Sequence, residues 1–148
     1  MKNFTMGLTN SVRGGIINIG YILYLLGVIM QEFEILFYDK PNGEEPAKEF
    51  LLSLDVKMRA KMLRTIEMLQ NNGYDLREPY SKSLGDGILE LRAKVGSDIS
   101  RVMYFFVVGR KAILTNGFIK KTQKTPKEEI ARAKSYRDEY LSRKGDLQ

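Results

Sequence analysis

A chain of 148 residues, 43% apolar and 28% charged, is long enough to bury one core and too hydrophobic to be a disordered polymer. It holds no cysteine and no histidine, which excludes disulfides, thiolate nucleophiles, zinc sites built on those residues and imidazole chemistry, leaving Lys, Arg, Asp, Glu, Tyr or hydroxyl groups for any catalysis. The net charge of +6 is unevenly spread: residues 30–91 carry 8 Lys/Arg against 12 Asp/Glu, whereas residues 92–144 carry 14 against 5, a footprint that suits a phosphate-rich partner.

Residues 1–29 contain no acid, and an almost unbroken apolar run extends from Ile16 to Met30. The run is shorter than the roughly 20 residues a spanning helix needs, is interrupted by Asn18, and lacks a small-residue cleavage pattern. Translation is therefore expected to begin at Met30, with residues 1–29 an upstream extension; the alternative is a weak, membrane-associating helix. A soluble protein is expected, and the absence of cysteine is compatible with a cytoplasmic location.

Gln31 to Tyr38 alternates as a first strand, and Asp39-Lys40-Pro41-Asn42-Gly43 is a turn cluster. Pro46 opens a helix through Leu54, and Asp55 caps a second from Val56 to Asn72, whose Met58, Met62, Leu63, Ile66 and Leu69 fall largely on one face and which Gly73 stops. Residues 74–87 read as turn. Strands follow at Ile88–Arg92, Arg101–Val108 and Ala112–Ile119, the last two joined by Gly109-Arg110-Lys111. Thr125-Pro126-Lys127-Glu128 reads as a capping box opening a last helix to about Arg143. The order β-α-α-β-β-β-α predicts an α+β domain over residues 30–148, a mixed or antiparallel sheet packed with helices.

Three segments are distinctive together: Ser83-Leu84-Gly85-Asp86-Gly87-Ile88-Leu89-Glu90-Leu91-Arg92; Ser100-Arg101-Val102-Met103-Tyr104-Phe105; and Gly117-Phe118-Ile119-Lys120-Lys121-Thr122-Gln123-Lys124-Thr125-Pro126, with Glu129 beyond. The chain from Met30 to about Tyr140 resembles the phage-derived, HigB-like branch of the RelE toxin superfamily. The resemblance implies a small α+β toxin of a type II toxin–antitoxin pair. Its curved sheet would present basic residues to mRNA in the ribosomal A site, and a cognate antitoxin, of helix-turn-helix type, would neutralise it. The sequence departs from those members that use a histidine or a late tyrosine in catalysis, since it has no histidine and no tyrosine between Phe106 and Tyr136.

RNA carries its own nucleophile, the 2′-hydroxyl, so an endoribonuclease needs a base, an acid and cations for the phosphorane charge. Neither a metal nor a cofactor is expected. Glu90 and Arg92 alternate with Leu89 and Leu91 and so share a face, and antiparallel pairing would bring Arg101 and Met103 beside them. Arg101 is the first choice for clamping the scissile phosphate, with a charge pair to Asp98 or Glu90 as its bland alternative. Glu90 either takes the 2′-hydroxyl proton or orients the arginines. Of Lys120 and Lys121, one should face the site, where crowding by cations lowers its pKa, or both simply touch phosphates. Tyr104 and Phe118 could stack on a base or belong to the core, and Lys124 and Lys127 suit outlying RNA contacts. Competing readings are a gyrase-directed toxin of the ParE type, a harmless phage-borne basic module, and a membrane-tethered variant.

Overall fold

The computed structural model describes residues 9–12, 15–29, 32–120 and 124–145, and the chain divides between residues 31 and 32 into two compact units. In the first, strand β1 (Thr9–Val12) pairs antiparallel with β2 (Gly15–Asn18), and helix α1 (Ile19–Ile29) follows. The apolar run thus enters a strand before it becomes helical. Asn18 is the point of change: its Oδ1 accepts a hydrogen bond from Tyr21 N at 3.2 Å, satisfying a donor that the first helical turn leaves open. Among the described residues, no helix is long and apolar enough to cross a membrane. Met30, the expected start of translation, lies outside the described residues.

The second unit has the expected α+β fold. Its elements are β3 (Glu34–Phe37), α2 (Pro46–Ser53), α3 (Val56–Asn72), a 3-10 turn (Gly73–Asp75), β4 (Ser81–Gly85), β5 (Ile88–Val95), β6 (Asp98–Val107), β7 (Lys111–Lys120) and α4 (Lys127–Gly145). The strands lie in the order β3-β7-β6-β5-β4, with β3 parallel to β7 and every other pair antiparallel. As expected, Asp55 accepts from Met58 N at 2.9 Å and Gly73 ends α3 with φ +52. One strand goes beyond the expectation: β4 lies within the segment read as turn, because its polar residues Ser81, Lys82 and Ser83 pair along β5 as an edge.

Strand alternation sorts the core into two layers. On one face of the sheet Leu91, Ala93, Val102, Tyr104, Ala112 and Leu114 pack with Leu51, Met58, Met62 and Leu69 of α2 and α3. On the other, Ile88, Met103, Phe105 and Ile113 pack with Tyr38, and with Ala133, Tyr136 and Tyr140 of α4. A bulge in β7 interrupts this alternation: Tyr104 pairs with Leu114 but Met103 with Asn116, leaving Thr115 as the extra residue. Thr115 is buried, and its hydroxyl donates to Met103 O at 3.2 Å or to Asn116 Oδ1 at 2.7 Å. Past the bulge, Asn116, Phe118 and Lys120 face the same side as Ile113.

Gly117 sits on the opposite side, where an added Cβ would lie 2.1 Å from Cδ1 of Phe50, far inside van der Waals contact. Gly117→Ala is expected to lower stability by roughly 1–3 kcal/mol through overpacking, measured by urea denaturation. Combined with Phe50→Ala it should cost less than the two single losses added together.

Candidate functional site

The α4 face of the sheet is covered only in part, and where α4 does not reach, strand pairing sets cations side by side. Antiparallel partners project to one side. Arg92 stands opposite Arg101, and Arg101 opposite Phe118; Lys94 stands opposite Ile99, and Ile99 opposite Lys120; Lys82 stands opposite Glu90. Four strands therefore contribute Lys82, Arg92, Lys94, Arg101 and Lys120 to one surface, with a single acid, Glu90, among them.

Glu90 is fully buried. Its Oε1 accepts from Arg92 Nε at 3.0 Å and Nη2 at 2.9 Å, and from Nη1 of Arg101. Its Oε2 accepts from the Thr125 hydroxyl at 2.6 Å. Thr125, expected to cap α4, instead turns its hydroxyl into the site and ties the start of that helix to β5. With both carboxylate oxygens engaged by positive or donating groups, Glu90 orients the arginines.

The two arginines differ in exposure. Arg101, expected to clamp the phosphate, is 4% exposed, and its Nε is buried with no acceptor among the described residues. Burial and the neighbouring Arg92 charge disfavour its protonated form, and Glu90 offsets them. The side chain of Arg92 is 22% exposed, and its Nη1 makes no hydrogen bond to the described residues. The fork presented outward is therefore that of Arg92, with Arg101 beneath it.

Lys120 is buried at the end of β7. Burial holds its ammonium below the usual lysine range, assisted by the charges of Arg101, Arg92 and Lys82 and opposed by Glu90. This is the lysine that faces the site; Lys121 lies outside the described residues. Lys124 and Lys127 are exposed beyond it. Phe118 is half-buried and packs with the α4 layer.

Of the two readings of Tyr104, base stacking or core, the structure gives the core one. Tyr104 is 1% exposed in the opposite core layer, and its hydroxyl shares a 2.5 Å hydrogen bond with Ser81 Oγ, so its ring has no face to offer a base. Lys82, Lys94 and Thr125 join the site without having been foreseen. Lys94 could have been found by running the alternation of Glu90 and Arg92 one step further; Lys82 needed β4, and Thr125 needed the tertiary fold. Among the described residues no group of acids is arranged to hold a metal ion.

A family model described as Phage derived protein Gp49-like (DUF891) matches residues 49–138, a stretch that includes Glu90, Arg92, Arg101 and Lys120. No curated protein matches the chain.

Two outcomes follow from the charge arrangement. Glu90→Ala strands Arg101 as a buried charge without its counter-ion and should cost about 3–5 kcal/mol in chemical denaturation. Lys120 has the opposite sign of effect on pH dependence from a lysine whose pKa is raised by a stabilising ion pair. Its folded-state pKa is depressed, so between that value and the ordinary lysine value the unfolded chain binds more protons, and stability from this group rises with pH. Denaturation midpoints should therefore rise more, or fall less, from neutral pH toward the ordinary lysine value in the native chain than in Lys120→Met.

Proposed function

As the chain belongs to the phage-derived Gp49-like family, a family typically linked to toxins of RelE type, we propose that it is the toxin of a toxin–antitoxin pair and cuts messenger RNA on the ribosome. The observation that carries this reading is the pair of arginines held on one buried carboxylate, with Lys120 beside them. A surface that only needs to attract phosphate has no use for a desolvated acid at its centre. A site that must hold guanidinium groups rigid while charge builds on a phosphorane does.

In this reading the 2′-oxygen attacks the adjacent phosphorus, and Lys120, pushed toward its neutral form, accepts the hydroxyl proton. Arg92 meets the charge on the non-bridging oxygens, held in place by Glu90 and backed by the Arg101 charge. The departing 5′-oxygen takes a proton from the cations that follow in the same segment, Lys121, Lys124 or Lys127. The expected partner is a small antitoxin whose acidic or apolar segment covers this face.

Arg92→Ala should slow message cleavage on induction by the order of 10²–10³ expected for one transition-state donor, and relieve growth arrest. Arg92→Lys should restore little, because a point charge does not reproduce a two-pronged contact. Full toxicity of Arg92→Ala at native expression, with its thermal melt unchanged, would remove the nuclease reading.

A further inference from the structure

Beside the cationic face lies a cleft of about 450 Å³ lined by Lys61, Thr65, Pro79, Tyr80, Arg92, Ala93, Lys94 and Gly96. It exists because β4 starts only at Ser81. Pairing of β4 with β5 covers Leu91 through Ile88, a last hydrogen bond runs from Arg92 N to Tyr80 O at 2.9 Å, and beyond it the outer edge of β5 at Ala93 and Lys94 has no neighbouring strand among the described residues. Helix α3 closes the far side. Thr65 can donate from its hydroxyl to Arg92 O at 3.3 Å, fixing the helix against the strand at the floor of the cleft.

The chemistry of the lining is specific. Tyr80 is 42% exposed and belongs to no aromatic pair among the described residues, yet its backbone is fixed on both sides, its N–H donating to Arg77 O at 3.0 Å and its carbonyl accepting from Arg92. An open aromatic ring on a fixed backbone stands among three cations, Lys61, Arg92 and Lys94, and among the described residues no acid lines the cleft. Lys57 and Arg64, one turn to either side of Lys61 on the exposed face of α3, continue the positive row. An aromatic face flanked by cations is the arrangement that takes an unpaired nucleobase and the phosphates on either side of it. Arg92 belongs to both the cleft and the cationic face, so one strand of RNA can occupy the two together.

We infer that the cleft between α3 and the free edge of β5 is a second subsite for single-stranded RNA, in which a base stacks on Tyr80 and its phosphates contact Lys61 and Lys94. The inference rests on the nuclease reading of the adjoining face and adds to it a contact remote from the bond that breaks. Its role is to hold the nucleotide flanking the cleavage position, so it sets affinity and register while Arg92 and Lys120 act on the chemistry.

The test uses the full chain and a fluorescent single-stranded 2′-O-methyl RNA hexamer, which cannot be cleaved because it lacks the nucleophile. Tyr80→Ala should weaken binding roughly ten- to hundredfold, the range for losing one stacked base, while Tyr80→Phe should bind as the native chain does. Lys61→Ala should reduce the log–log salt slope by about 0.7, and Lys48→Ala, at a surface ion pair on α2, should leave it unchanged. Native-like binding by Tyr80→Ala would overturn the subsite, as would failure of the native chain to bind the hexamer. An acidic decapeptide whose binding is lost in Tyr80→Ala, with the hexamer unaffected, would assign the cleft to a protein partner and overturn it too. Message cleavage after induction of the native chain separates the two levels: intact message removes the nuclease reading, whereas cut message with Tyr80→Ala binding normally removes the subsite alone.

Discussion

A carboxylate sealed from water at the centre of a cation cluster constrains the rest of this domain. Glu90 is fully buried on β5, and an isolated buried charge is expensive enough that it must be matched by opposite charge and hydrogen bonds. Arg92 supplies these from its own strand, Arg101 from the next and Thr125 from the approach to α4. Three separate stretches of chain are thereby committed to one point. The register of β5 on β6, and the direction in which the chain leaves β7 for its last helix, are both coupled to the neutralisation of a single acid.

The bulge at Thr115 is the second half of that constraint. A strand with unbroken alternation from Ile113 would send residues 117, 119 and 121 toward the α4 side and turn Lys120 into the α2 and α3 layer. The inserted residue reverses the parity, so that Asn116, Phe118 and Lys120 point where Arg101 does. It also places Gly117, with no side chain, where Phe50 of α2 fills the space. One extra residue therefore aims Lys120 toward the buried carboxylate on one face and makes room for a core aromatic on the other.

The helices and the three long strands were legible because their signals are periodic and local: Asp55 and Gly73 bracket α3, and Glu90, Leu91 and Arg92 alternate as a half-buried strand must. The common face of Glu90, Arg92 and Arg101 followed from that alternation with antiparallel pairing. What was not legible depends on partners distant in the chain. β4 is polar, and its identity as a strand comes from β5 beside it. Thr125 has every local feature of a cap, yet a buried acid 35 residues away competes for its hydroxyl. Whether Tyr104 faces a core or a ligand is decided by α2 and α3, and the choice between Lys120 and Lys121 by a bulge that leaves no mark in the hydrophobic pattern.

Burial also divides the work between two residues of identical chemistry. Both arginines meet Oε1 of Glu90, but Arg101 lies beneath the surface, while Arg92 keeps part of its guanidinium in contact with solvent. A deeply buried cation acts through its field, which low dielectric surroundings strengthen, and the Arg101 charge adds to burial, the larger cause, in lowering the pKa of Lys120. A partly exposed one can exchange water for a ligand oxygen without being pulled out of its ion pair. The carboxylate holds Arg92 by Nε and Nη2, along one edge of the planar fork, and the remaining nitrogen, Nη1, makes no hydrogen bond to the described residues. In the proposed reaction the inner arginine would stiffen and charge the site and the outer one would meet the phosphate, so exchanging their exposures would leave neither task performed.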